Sequence, residues 1–278
     1  MDPLLPMSAA SVFIDGTFSE PRLAHPEGVA VHADGSVWCG TETGHLIRVE
    51  PDGSAMASLG STDGFLLGLA FDAAGRCYAC DLRYAAIFRY DPETSAFEKF
   101  ADAGITVPNY PVVDDANGWL YVSDSHGWDE AGGGVYRYDL ATGEGGLWAS
   151  TPMRFANGMA KALDGSGLYV VESTAARLSF VPIREDGSAG APEVVTEGLV
   201  QVPDGVLVMP NGDLLISCYE PGRIYRYSDR GGLELLIHDP NAVVLAHPTN
   251  IALRGDTLFT AGLGRWHLAA VDLSGLAG

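Results

Sequence analysis

One unit occurs six times in this chain, and that repetition limits the fold more than any other feature. The copies begin EGVAVHADGSVWCG at Glu27, LGLAFDAAGRCYAC at Leu67, NYPVVDDANGWLYVSD at Asn109, NGMAKALDGSGLYVVE at Asn157, DGVLVMPNGDLLIS at Asp204 and NIALRGDTLFTAG at Asn250. Successive starts lie 40, 42, 48, 47 and 46 residues apart, the spacing of a four-stranded propeller blade. Within a unit, a short apolar strand meets a Gly turn such as Ala33-Asp34-Gly35 or Pro210-Asn211-Gly212, then a strand rich in Leu, Tyr and Val. That is the pattern of a β-hairpin. A third strand repeats an aromatic, Arg, Tyr and acid order in IFRYDPE at Ile87, VYRYDLA at Val135 and IYRYSDR at Ile224, with HLIRVEP at His45 a weaker version. Its Arg and Tyr are read as packing and surface residues, the Arg stems covering apolar faces.

A fourth strand follows in five units, as MASLGS, FEKFAD, GGLWAS, EVVTEG and LELLIH, but the sixth unit stops near Leu273. Ahead of the first unit, SVFIDGTF has no partner of its own. Residues from about Ser11 to Phe18 are therefore expected to supply the outer strand of the sixth blade, which removes two exposed sheet edges. The expectation is an all-β chain, a six-bladed β-propeller of four-stranded blades, forming one domain over residues 1–278. A sandwich of hairpins gives no reason for near-constant spacing. Composition agrees: 35 Gly and 16 Pro in 278 residues suit many short strands and disfavour helix bundles.

Charge narrows the partners. With 16 Lys and Arg against 36 Asp and Glu the formal charge is −20, which repels nucleic-acid phosphates and anionic lipid. No apolar run approaches the ~20 residues of a membrane helix, and the start MDPLLPMSAASV lacks a basic leader. A cytoplasmic, soluble protein is expected, a monomer or weak homo-oligomer with a small-molecule partner and with neither nucleic acid nor membrane as a partner. Four cysteines, Cys39, Cys77, Cys80 and Cys218, are too few for a disulfide scaffold. Cys77 and Cys80 stand three apart on a strand, which turns their sulfurs to opposite faces, so buried thiols are expected in place of a metal or redox pair.

In a propeller the first strand of each blade lines the central channel, so equivalent positions form a ring around the axis. That ring reads Glu27, Leu67, Asn109, Asn157, Asp204 and Asn250. Five of the six bear oxygen, and two are carboxylates. Such an oxygen cage suits a divalent cation, Ca²⁺ best, since Mg²⁺ demands a tighter octahedron and Zn²⁺ prefers imidazole or thiolate. The same residues also suit a simpler role, hydrogen-bonding a water column or forming turns.

The six-unit organisation, the Glu-Gly of HPEGVAV, the Asn-Gly of FANGMAKALDGSGLYVVEST, the Asp-Gly of VPDGVLVMPNGDLLIS and the GGVYRYD segment resemble the senescence marker protein, regucalcin and gluconolactonase family of six-bladed propellers. The likeness runs over about residues 12–273. It implies one catalytic divalent metal at the channel mouth, Ca²⁺ or alternatively Zn²⁺, Mn²⁺ or Mg²⁺, held by Glu27, Asn157 and Asp204, with Asn109 as a ligand or substrate contact; Asn250 is an additional ring residue by its position alone. It also implies hydrolysis of a lactone or related ester, in which the metal polarises the carbonyl and Asp204 acts as general base or nucleophile. Sugar-lactone members carry an Arg two residues before the third-blade Asn. Here that position is Val107, which removes a cationic clamp and favours a less polar lactone or ester.

The segments SDSHGWDEAGGG at 123–134 and YEPG at 219–222 read as substrate-shaping loops on the same rim. They make His126 an alternative base and substrate contact, and Tyr219 a further contact. Trp128, Tyr110 and Phe155 form the expected apolar wall, and Glu172 either supports the ring or orients a turn. Two other functions fit the same fold: a non-catalytic propeller that binds a ligand or a protein, and a strictosidine-synthase-like enzyme that condenses an amine with an aldehyde without a ring metal. No G-x-S-x-G, H-E-x-x-H, P-loop or G-x-G-x-x-G signature stands in a credible context.

Overall fold

Each repeat folds as one antiparallel sheet of four strands, six sheets in all, in a computed structural model that describes residues 1–200 and 202–276. The innermost strands are Val29–Val31, Leu66–Phe71, Pro108–Asp114, Ala156–Lys161, Pro203–Val208 and Pro248–Arg254. Together the sheets make a six-bladed β-propeller, and the only helical elements among the described residues are the turns Met7–Ala9 and Ser173–Ala175. The inner hairpins turn where the sequence places Gly. In blade one Gly35 takes φ +86° and its N–H reaches the His32 carbonyl at 2.9 Å, a conformation that costs glycine nothing.

The N-terminal strand Ala10–Asp15 pairs antiparallel with His267–Asp272, from Ala10 opposite Val271 to Asp15 opposite His267. It completes the sixth blade. The residues before it do something the repeat pattern does not indicate: the N–H groups of Leu4 and Leu5 donate to the Leu235 and Leu236 carbonyls at 2.9 Å. The chain start therefore latches onto the outer strand of blade five, Gly232–His238, and covers an edge that would otherwise offer unpaired backbone groups.

One apolar core fills each gap between neighbouring blades, six in total. The gap between blades six and one, for example, holds Phe259, Leu268, Val29 and Ile47, with Phe13 from the closing strand edge-on to Phe259 at 4.8 Å. Truncating a fully buried aromatic such as Phe259 to Ala would cost about 3–5 kcal/mol. The alternation of the second strand shows in blade two, where Cys77 enters the core shared with blade one and Cys80 the core shared with blade three. All four cysteines are free and buried, and burial raises their thiol pKa values. On the third strand of blade three, Arg137 lies over Trp119 at 4.3 Å while Tyr138 is fully buried, so the repeated aromatic and Arg residues serve packing.

Candidate metal centre

The inner strands approach one another so closely near the axis that some positions there exclude a side chain. A Cβ on Gly158 would run into the Asp204 carbonyl and the Gly205 Cα of the next blade. The Gly of the Asn157-Gly158 pair thus marks a crossing of two backbones, not a turn, and the side chain before it is delivered to the channel.

Glu27, Asn109, Asn157 and Asp204 line the floor of one cavity of about 450 Å³. Each is between 2% and 6% exposed. Asn250 lies next to them, fully buried, its Nδ2 donating to Asp204 Oδ1 at 3.4 Å. Asn157 Nδ2 donates to the other carboxylate oxygen, Oδ2, at 3.1 Å. Leu67, the one apolar member of the ring, also lines the cavity.

A set of hydroxyls absent from the sequence reading orients these amides. Ser125 donates its proton to the Ala156 carbonyl at 2.8 Å, and Ser173 donates its own to Pro203 at 2.6 Å. Each hydroxyl has one proton. Each must therefore accept from the amide that faces it, Asn109 Nδ2 on Ser125 and Asn157 Nδ2 on Ser173, both at 3.0 Å. The amide nitrogens are thereby committed to protein, and the amide oxygens are left over. Ser217 donates to the Thr249 carbonyl and Thr249 Oγ1 to the Glu27 carbonyl at 2.8 Å, so one hydroxyl series ties blades three, four, five, six and one. Its trace in the sequence is the acid-Ser pair ending the second strand, Asp124-Ser125 and Glu172-Ser173.

Glu27 Oε2, Asn109 Oδ1, Asn157 Oδ1 and Asn250 Oδ1 are buried and have no hydrogen-bond partner. A buried polar atom without a partner costs about 1–3 kcal/mol, and four cluster here. The acids respond in kind. Burial, with the negative charge of Asp204 added, holds the Glu27 carboxyl well above its ordinary range. Burial lifts Asp204 to about 7, against the two amide hydrogen bonds that lower it. Two carboxylates, three amide oxygens and no cationic side chain fit a hard, oxygen-preferring divalent ion. Among the described residues no group of three or more His, Cys, Asp or Glu side chains could hold a metal; this site would depend on amides for the rest of its ligands.

Around that floor the walls are apolar. Trp128 packs edge-on against Phe155 at 4.9 Å, and Val107, Val202, Tyr219 and Leu263 complete much of the lining. Two residues expected here stand elsewhere. His126 is exposed on its loop at φ +58°, its N–H held by Asp124 and its ring over Gly132, and it does not line the cavity. Tyr110 packs across Gly68, outside the cavity wall, with its hydroxyl pushed up to about 12 by burial and then by the charges of Glu27 and Cys80. Glu172 faces away from the cavity and takes the N–H of Arg154, the guanidinium of Arg177 and the hydroxyl of Ser179 at 2.6–2.9 Å. It fixes the turn before the Asn157 strand. Two rim histidines also act as clamps: His25 Nδ1 meets the Leu263 carbonyl at 2.6 Å and His247 Nδ1 the Tyr219 carbonyl at 2.9 Å.

Known proteins resemble this chain in sequence and in fold. Residues 46–261 match the SMP-30/Gluconolactonase/LRE-like region, and residues 18–49 match the N-terminal part of strictosidine-synthase-like proteins. Lactonase drp35 of Staphylococcus epidermidis is 30% identical over 133 residues, which span 43% of this chain and 38% of that relative. A gluconolactonase from Xanthomonas campestris superposes with a TM-score of 0.74 at 21% identity, covering 90% of this chain and 88% of that one. Regucalcin of Agrobacterium tumefaciens, described as a calcium-binding protein, superposes with a TM-score of 0.72 at 17% identity over 90% and 92% of the two chains. Both superpositions are likenesses of fold.

Proposed function

Since the chain belongs to the SMP-30/Gluconolactonase/LRE-like family, we propose that it is a metal-dependent hydrolase of a lactone or related ester. The observation that carries this reading is the cluster of unpartnered buried oxygens beside two carboxylates at the floor of an apolar cavity. Glu27, Asn109, Asn157 and Asp204 would hold a divalent cation, with Asn250 beside them. The calcium-binding relative supports Ca²⁺, and carboxylate and amide oxygens suit it. When bound, the ion supplies a Lewis acid for the substrate carbonyl oxygen.

The chain supplies the rest. Asp204 takes a proton from the attacking water as general base; burial raises its pKa in the metal-free chain, and a cation held beside it would favour the ionised carboxylate that a base requires. Water oxygen bonds to the carbonyl carbon, the ring C–O bond breaks, and the proton returns to the departing alkoxide. The Asn157 and Asn250 amides keep the Asp204 carboxylate in place. Glu27 balances charge. If Asp204 instead attacks as nucleophile, a single turnover in ¹⁸O-water followed by a second in ordinary water carries label from the carboxylate into product.

Turnover of a lactone panel with and without chelator, followed by Ca²⁺ readdition and calorimetric titration of the metal, tests the reading. Metal-dependent hydrolysis with one cation per chain is expected; activity indifferent to chelator would defeat it. The match of residues 18–49 to strictosidine-synthase-like proteins favours a second reading, a condensing enzyme. It predicts amine–aldehyde condensation that survives chelation in the same experiment.

A further inference from the structure

We propose that the substrate is a neutral, mainly apolar lactone carrying a flat ring, and that the cavity rejects polyol and anionic lactones; this rests on the hydrolase reading above. The cavity is two-sided. Its floor holds the ring oxygens, while of the fourteen lining residues among those described none is Lys, Arg or His. Beyond the floor, the polar groups among the described lining residues are the Tyr219 hydroxyl, the Glu220 carboxylate and the Trp128 indole N–H. A sugar lactone would bring several hydroxyls against Val107, Val202, Leu82 and Leu263. Each hydroxyl left without a partner costs about 1–3 kcal/mol. An anionic substrate would meet the Glu220 carboxylate, which faces His247 at 3.2 Å, and apart from a cation on the floor it would find no Lys or Arg among the described lining residues to pair with.

The aromatic wall is built to receive a flat ring. Trp128 stands at the rim of the cavity, 51% exposed, and its ring is at 72° to Phe155. Phe155 itself holds φ +59°, a strained conformation for a bulky residue. It is pinned there: its carbonyl accepts the Ser173 N–H at 3.1 Å, and the N–H of Arg154 before it is held by Glu172 at 2.9 Å. A wall fixed in advance loses little entropy when a ligand stacks on it. The volume, about 450 Å³, is that of a small-molecule site.

Three substrates and two inert analogues test this in the Ca²⁺-loaded protein: 3,4-dihydrocoumarin, δ-valerolactone and D-glucono-1,5-lactone for turnover, and the lactams of the first and third for binding by tryptophan fluorescence. Dihydrocoumarin is expected to exceed gluconolactone in kcat/KM by about 100-fold or more, and its lactam to bind while the sugar lactam does not. Trp128→Ala should raise KM for dihydrocoumarin roughly 10-fold, at least several times its effect on δ-valerolactone. Equal or better use of gluconolactone, tighter binding of the sugar lactam, or a Trp128→Ala variant that treats the two other lactones alike would overturn the proposal. If no lactone is turned over, the hydrolase reading fails by itself, and the lactam preference still decides the recognition claim.

Discussion

Asp204, at the head of an inner strand, and Glu172, at the end of a second strand, are both buried acids, yet their surroundings push them in opposite directions. Burial raises the pKa of each carboxyl. At Glu172 that rise is overcome by Arg177, Ser179 and the Arg154 N–H, and its pKa is lowered. At Asp204 only two neutral amides oppose it, and the pKa goes up to about 7. Asp239 shares with Glu172 the task of holding a loop, accepting the N–H groups of Val243, Val244 and Leu245 at 2.7–3.0 Å. The difference separates acids that hold loops from acids whose charge is left to something outside the chain. Burial alone does not distinguish them; the count of donors does.

Neutralising one member of each class should break activity in one case and stability in the other. Asp204→Asn is expected to lower kcat/KM by about 10²–10⁴-fold, while its melting temperature without metal stays level or rises, because a repelling buried acid has gone. Steady-state kinetics and a thermal melt in chelator check both halves. Glu172→Gln should do the reverse. It removes the charge facing Arg177, and because that guanidinium is partly exposed the loss should fall near 2–3 kcal/mol, below the usual figure for a broken buried pair, read by urea unfolding.

Next in size is the response to pH. Asp204 keeps in the folded state a proton that the unfolded chain releases near its ordinary pKa of 3.8. The metal-free protein should therefore lose stability as pH rises from about 4 to 7. Glu172 has the opposite sign: its contribution is present above its ordinary value of 4.5 and is lost as pH falls through the lowered pKa. Melting temperature against pH should peak in weak acid, fall less steeply on the neutral side in Asp204→Asn, where Glu27 still keeps a pKa raised by burial, and rise at neutral pH on adding Ca²⁺. A curve that climbs steadily to pH 8 without metal would contradict the assignment. The smallest effect belongs to Ser173→Ala. Freeing the Asn157 amide to rotate should weaken Ca²⁺ binding about 10-fold, with about 1 kcal/mol of stability lost, measured by calorimetry.

Much of the architecture is legible in the sequence because repetition reports on backbone positions. Six equivalent strand heads identify which residues share the axis, and the spare SVFIDGTF segment identifies the closing strand. Side-chain direction is less legible. His126 and Trp128 share one loop, but left-handed backbone at His126 sends the imidazole outside the cavity, and no spacing rule anticipates that. Tyr110 sits one place after a ring residue, where four of the other five blades have Gly, and its bulk crosses toward Gly68. The hydroxyls of Ser125 and Ser173 escape notice because serine after an acid is common in turns. Their role needs the neighbouring blade's carbonyl, a contact about 30 residues away in sequence. The Leu4–Leu5 latch is hidden for the same reason.

Closure by the first strand sets the order in which the molecule can be finished during synthesis. Ala10 emerges from the ribosome long before Val271, its partner; at about 5–20 residues per second the wait is tens of seconds. Throughout that interval blade six does not exist, and Glu27 has no Thr249 to meet its carbonyl. A nascent chain of five blades thus carries an incomplete cation cage as well as an open seam, so the site matures only with the last hairpin. Joining the two ends of this chain through a short linker and opening the ring between two other blades would move that moment without altering the finished ring.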